Sequence, residues 1–201
     1  MIHAHTQSAR PSLGSEESDA VLAVLASGMI AQGPVTAAFE EEFAAYCGVS
    51  HAVAVSNGTT ALHAALLVAG VGPGDEVIVP AFTFFATASA VSICGARPVF
   101  ADVDPATATI DPADIIAKVS SKTKAVIGVH LYGQPCDAGA VREICDDKDL
   151  VLIEDAAQAH GAEYHGIRTG APGRPRLFLV LRYKESGDRG GGNGDDGIGR
   201  V

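Results

Sequence analysis

The sequence predicts an α/β fold, a mainly parallel sheet covered by helices on both faces. Short β-branched runs alternate with helical segments along most of the chain. Polar residues gather just beyond the ends of those runs, where open α/β sheets bind their ligands. With 47% hydrophobic residues in 201, the chain can also bury a core.

The elements read in order. From about Ser15 to Cys47 the pattern is helical, with Glu16 and Glu17 in a first turn, a Val21, Leu22, Leu25 stripe, and Phe39 and Phe43 repeating at i, i+4. A loop from Gly28 to Pro34 interrupts it. Five apolar runs then predict strands: Ala52 to Val55, Val77 to Val79, Pro98 to Phe100, Ala125 to Val129 and Leu150 to Ile153. Helices are expected over Thr59 to Ala69, Ala86 to Cys94 and Asp137 to Asp147. The Val71 to Glu76 stretch lacks GxGxxG spacing and precedes a strand instead of following one, so it reads as a turn.

Composition excludes several classes. A formal charge of -10 opposes general affinity for nucleic acid or anionic membrane, which needs concentrated Lys and Arg. No run approaches the roughly 20 apolar residues of a membrane span. Cys47, Cys94, Cys136 and Cys145 form no CxxC pair or zinc spacing and follow no apolar leader, so a reduced, cytoplasmic protein with ordinary thiols is expected. Near Gly173 the character changes. Residues 174–201 hold six Lys or Arg, four Asp or Glu and seven Gly, whereas the first 173 hold eight basic and twenty acidic residues. This glycine-rich tail is expected to be disordered.

Three constellations carry chemistry. Ser56 to Thr60 ends a strand and starts a helix, offering backbone N–H groups and hydroxyls at the positive end of a helix dipole; the same residues suit a plain N-cap. Asp155 emerges at a strand's carboxyl end with Gln158 one helical step on. A carboxylate there can pair with a protonated ring nitrogen, act as a structural cap, or join His160 or His165 at a metal, although these lack ligand spacing. Finally, Phe82, Phe84 and Phe85 cluster after the second strand; Phe82 and Phe85 read as core and Phe84 as a ring available for stacking on a planar cofactor.

Taken together, Ala31 to Pro34, Ser56 to Leu62, Asp75 to Pro80 with Thr83, His130 to Gly133, and Glu154 to Gly161 resemble the DegT/DnrJ/StrS sugar aminotransferases, fold-type-I enzymes dependent on pyridoxal 5'-phosphate (PLP). The resemblance runs from about Pro11 to Gly173. It implies a three-layer large domain, present here in its N-terminal part over residues 1–173 and incomplete. It also implies that Gly58, Thr59 and Thr60 hold the PLP phosphate, Phe84 stacks on the ring, Asp155 pairs with the pyridine nitrogen, and Gln158 bonds the ring hydroxyl. The family reaction moves an amino group from an amino acid, commonly glutamate, to a keto group on a nucleotide-linked sugar, in a homodimer with its site at the subunit interface.

Beyond Gly173 the family pattern of Phe-Ser-Phe, Thr-Lys-Asn and Gly-Glu-Gly-Gly is replaced. A displacement of one nucleotide accounts for it: codons for Thr-Lys-Asn, read one base early, give Tyr183-Lys184-Glu185, and the same shift yields Arg189 to Gly192. Lys184 thereby occupies the position of the family's cofactor-bearing, proton-shuttling lysine, while Leu179 stands in place of a phosphate-binding Ser. Three readings follow: the aminotransferase; a truncated, inactive fragment that at most binds PLP or a partner subunit; and a PLP-dependent sugar dehydratase, whose members usually carry His where Lys184 stands.

Overall fold

Apolar runs bounded by turns become the strands of one sheet. The computed structural model describes residues 13–169 and the backbone of 177–180. The helices are α1 (Ser15–Ser27), α2 (Pro34–Cys47), α3 (Gly58–Val68), α4 (Ala86–Ile93), α5 (Pro112–Lys118) and α6 (Ala138–Asp147). The strands are β1 (Glu76–Pro80), β2 (Arg97–Ala101), β3 (Thr123–Val129), β4 (Val151–Asp155), β5 (Glu163–Tyr164), β6 (Ile167–Arg168) and β7 (Leu177–Val180). β1, β2, β3, β4 and β7 form a parallel sheet in the order β2-β1-β3-β4-β7, and β5 and β6 form a small antiparallel ribbon.

The chain divides into two compact units inside the 1–173 span that reads as one domain in the sequence. The described part of the first comprises residues 13–46 and 50–54; the second holds the sheet. In the first unit, Phe39 and Phe43 do meet, with ring centroids 5.4 Å apart. However, α1 buries no residue, and its Val21, Leu22 and Leu25 stripe is exposed.

In the sheet unit the two-residue period of a strand sorts side chains between faces. Val77, Val79, Ile127 and Ile153 pack on one side with Leu62 and Leu66 of α3 and Val91 of α4. Ile78, Val126 and Leu152 pack on the other with Ile115 of α5 and Val141 of α6. Both faces are thus filled, which explains why the strands read as unbroken apolar runs. Among the described residues no helix is long and apolar enough to cross a membrane.

Two expectations are corrected. Residues 52–55 are irregular, not a strand: Val53 is 77% exposed, and the Ala54 N–H goes to the Glu40 carboxylate at 2.8 Å instead of a ladder. A short apolar run becomes a strand only where a neighbouring backbone accepts it. Secondly, α5 was not anticipated, although Asp111 caps it by accepting from Ala113 N–H at 2.9 Å and Pro112 opens it. Residues 177–180 run as β7 beside β4.

Candidate cofactor site at the carboxyl edge of the sheet

The site begins with the last two residues of β4. Alternation sends Asp155 to the face of Ile153, shared with α3 and α4, and Glu154 to the face of Leu152, shared with α5 and α6. Asp155 is 7% exposed. Its Oδ1 accepts from Ala157 N–H at 3.0 Å, which turns the chain out of the strand and places Gln158 on the following turn. Burial holds the Asp155 carboxyl above the usual carboxylate range, opposed by the Ala157 hydrogen bond and the His130 ring. No Lys or Arg among the described residues forms an ion pair with it.

Glu154 has the opposite surroundings. Its carboxylate lies 3.3 Å from Arg142 Nη2 and 3.4 Å from His130 Nε2. Both Glu154 and His130 are buried. His130 entered the sequence reading only as part of a motif, and Arg142 did not enter it. The available signal was the acid pair ending an apolar strand, since two adjacent strand residues face opposite ways and need separate partners.

The turn before α3 forms the N-cap and leaves two helix N–H groups uncommitted. Asn57 is the N-cap: its Oδ1 accepts from Thr60 N–H at 2.9 Å and from the Thr60 hydroxyl at 3.1 Å. Thr60 is thereby committed to the cap. The N–H groups of Gly58 and Thr59, first in the helix, have no intrahelical acceptor and stand at the positive dipole end. The helix packs against α4 and meets β4 on the face that carries Asp155.

Phe84 is 61% exposed, leaving its ring free to cover a planar ligand. Phe82 and Phe85, expected in the core, are exposed as well. β1 stops at Pro80, so strand alternation no longer aims the residues after it, and Ala86, Thr87, Ala90 and Val91 of α4 fill the space instead. Lys184 lies outside the described residues.

No group of three or more His, Cys, Asp or Glu among the described residues is arranged to hold a metal ion. The four cysteines are unpaired and buried, and burial pushes the thiols of Cys136 and Cys145 up to about 12. They are packing residues, as expected.

The donor set fits PLP on geometric grounds. A buried carboxylate without a cationic partner suits a protonated ring nitrogen, two free helix N–H groups suit a phosphate, and an exposed aromatic ring suits a planar heterocycle.

A parallel α/β sheet with an anion-ready helix start and a buried carboxylate at a strand end belongs to the open α/β sheets whose ligands sit at the carboxyl edge. Comparison with known proteins is specific. Residues 11–178 match the DegT/DnrJ/EryC1/StrS aminotransferase family, and the chain belongs to that family. GDP-perosamine synthase of Caulobacter vibrioides is 48% identical over 177 residues, 88% of this chain and 48% of the relative. The S. venezuelae DesV structure superposes with a TM-score of 0.77 at 47% identity, covering 79% of this chain and 43% of that one. A Streptococcus pneumoniae protein assigned as a sugar aminotransferase, in its PLP form, gives a TM-score of 0.79 at 32% identity, covering 82% and 46%. The chain spans about half the length of the curated relatives it matches.

Proposed function

We propose that this chain carries the cofactor side of an aminotransferase site that passes an amino group from an amino-acid donor, glutamate by resemblance, to the keto group of a nucleotide-linked sugar. The observation that carries this reading is Asp155, a buried carboxylate at the end of β4 with no basic partner among the described residues. Kinship with GDP-perosamine synthase supports a nucleotide sugar as substrate. A homodimer in the cytoplasm belongs to the same proposal.

When bound, PLP supplies an electron sink for the carbon that carries the amino group. The chain's residues bind and orient it. Asp155 accepts a hydrogen bond from the protonated ring nitrogen and keeps the proton on that atom, because a carboxylate without a competing cation gains most from a charged donor. Gln158 bonds the ring hydroxyl. The Gly58 and Thr59 N–H groups, with Thr60, would bind the phosphate at the helix start, Thr60 also bonding the Asn57 cap. Phe84 covers one ring face and excludes water. Lys184 would hold the cofactor through its side-chain amine and would carry the proton moved during transfer.

Visible absorbance of the purified chain with PLP, before and after borohydride, tests this. The expected result is a band that borohydride removes and that Lys184→Ala lacks. Absence of any band overturns the reading in favour of an inactive fragment. A band that persists unchanged in Lys184→Ala removes the lysine from the mechanism and favours lysine-independent chemistry.

A further inference from the structure

Asp155 and Gln158 are each held from the same place. His130 N–H donates to the Asp155 carbonyl at 2.9 Å, and Gly133 N–H donates to the Gln158 carbonyl at 2.9 Å. The second bond depends on a turn that its sequence does not favour. Leu131 and Gln134 exchange two backbone hydrogen bonds at 3.0 and 2.9 Å around Tyr132 and Gly133, whose φ values are 53° and 85°. A tyrosine in the left-handed region stores backbone strain that the surroundings must offset.

The His130 side chain closes this loop. Cys136 N–H donates to His130 Nδ1 at 3.1 Å, joining the two ends of the 130–136 segment inside the protein. Nδ1 accepts only when it carries no proton, so the ring proton resides on Nε2, facing the Glu154 carboxylate. Glu154 therefore selects the tautomer that leaves Nδ1 free for Cys136, and Arg142 balances the buried carboxylate. Such outer partners commonly fix a site's geometry as firmly as the groups that touch the ligand.

We propose that His130, locked in its Nε2–H tautomer by Glu154, is a positioning residue that closes the 131–136 loop and thereby clamps Asp155 and Gln158 for the cofactor. It touches no ligand and acts through backbone bonds. The cofactor part of this statement rests on the function proposed above.

Two substitutions divide the ring. In His130→Asn the amide oxygen can reach the place of Nδ1 and still accept from Cys136 but cannot reach Glu154; in His130→Gln the longer amide reaches Glu154 and abandons Cys136. Amide exchange at Gly133 reads the clamp directly, without cofactor. His130→Gln is expected to lower Gly133 protection and PLP affinity by about tenfold each, while His130→Asn keeps both within about threefold. Equal effects of the two variants, or unchanged Gly133 protection in His130→Gln, would overturn the clamp, since a merely structural role lowers global stability in both. Nitrogen NMR of the unmutated chain provides a second measure that needs no variant to fold. A protonated Nδ1 refutes the tautomer and the proposal; a bare Nδ1 with protonated Nε2 supports it. Failure of the unmutated chain to bind PLP refutes the proposed function, whereas the clamp stands or falls on Gly133 exchange and the tautomer.

Discussion

Glu154 and Asp155 are adjacent carboxylates at the end of one strand, and they differ in the groups that bond their side chains. Glu154 faces α6 and is matched by Arg142 and His130. Asp155 faces the α3 side and receives a backbone N–H from Ala157, with no cation among the described residues. A buried charge that is paired is consistent with holding structure; one left unpaired marks a place where an external cation is welcome. The difference teaches that function is read less from the residue type than from which face lacks a partner.

Substitution at Glu154 should have the largest effect on this contrast. Glu154→Ala leaves Arg142 and a buried His130 unmatched and should lower stability by about 3 kcal/mol, as measured by urea denaturation. An equal loss in Asp155→Ala would break the distinction between the two faces.

Asp155→Asn should act in the opposite direction. Burial raises the folded-state pKa, so the ionised carboxylate opposes folding; the penalty is present at neutral pH, is relieved as pH falls through the folded value, and is gone below the unfolded one. The neutral amide retains an oxygen for Ala157 and should stabilise the cofactor-free chain by about 1 kcal/mol at pH 7, with the gain vanishing in acid. Destabilisation at pH 7, in melts across pH, would mean that Asp155 has a structural partner after all.

The smallest expected effect lies on the Glu154 side, where Tyr164 donates to the α6 cap residue Asp137 at 2.6 Å. That hydrogen bond, reinforced by Ala140 N–H, holds Asp137 below its ordinary value, so its contribution is present above the unfolded pKa and is lost as pH falls through the folded one. Tyr164→Phe should cost about 0.5 kcal/mol at neutral pH, the pair being solvent-exposed, and less in acid. Thermal melts at two pH values check both figures.

Much of this was legible beforehand. The runs at Val77, Pro98, Ala125 and Leu150 all became strands because each is apolar on both faces, a pattern suited to a parallel sheet. The positions of Gly58 at a helix start and of Asp155 at a strand end were legible because turn chemistry at strand and helix ends is local. By contrast, Ala52 to Val55 is as apolar a run as the strands yet stays irregular, and the α1 stripe stays exposed. Periodicity declares a face or an edge that needs a partner without saying that one arrives.

By itself the sequence determined the α/β class, the order of most elements, the family motifs and the separation of Glu154 and Asp155 onto opposite faces, since a strand's two-residue period follows from covalent geometry. Only the tertiary structure decided that Glu154 meets Arg142 and His130 while Asp155 meets no Lys or Arg among the described residues, that Phe82 and Phe85 leave the core, and that the loop after His130 reaches the carbonyl of Gln158. Those outcomes depend on groups far apart in the chain, and long-range packing and the cost of burying charge, not local propensity, select among them.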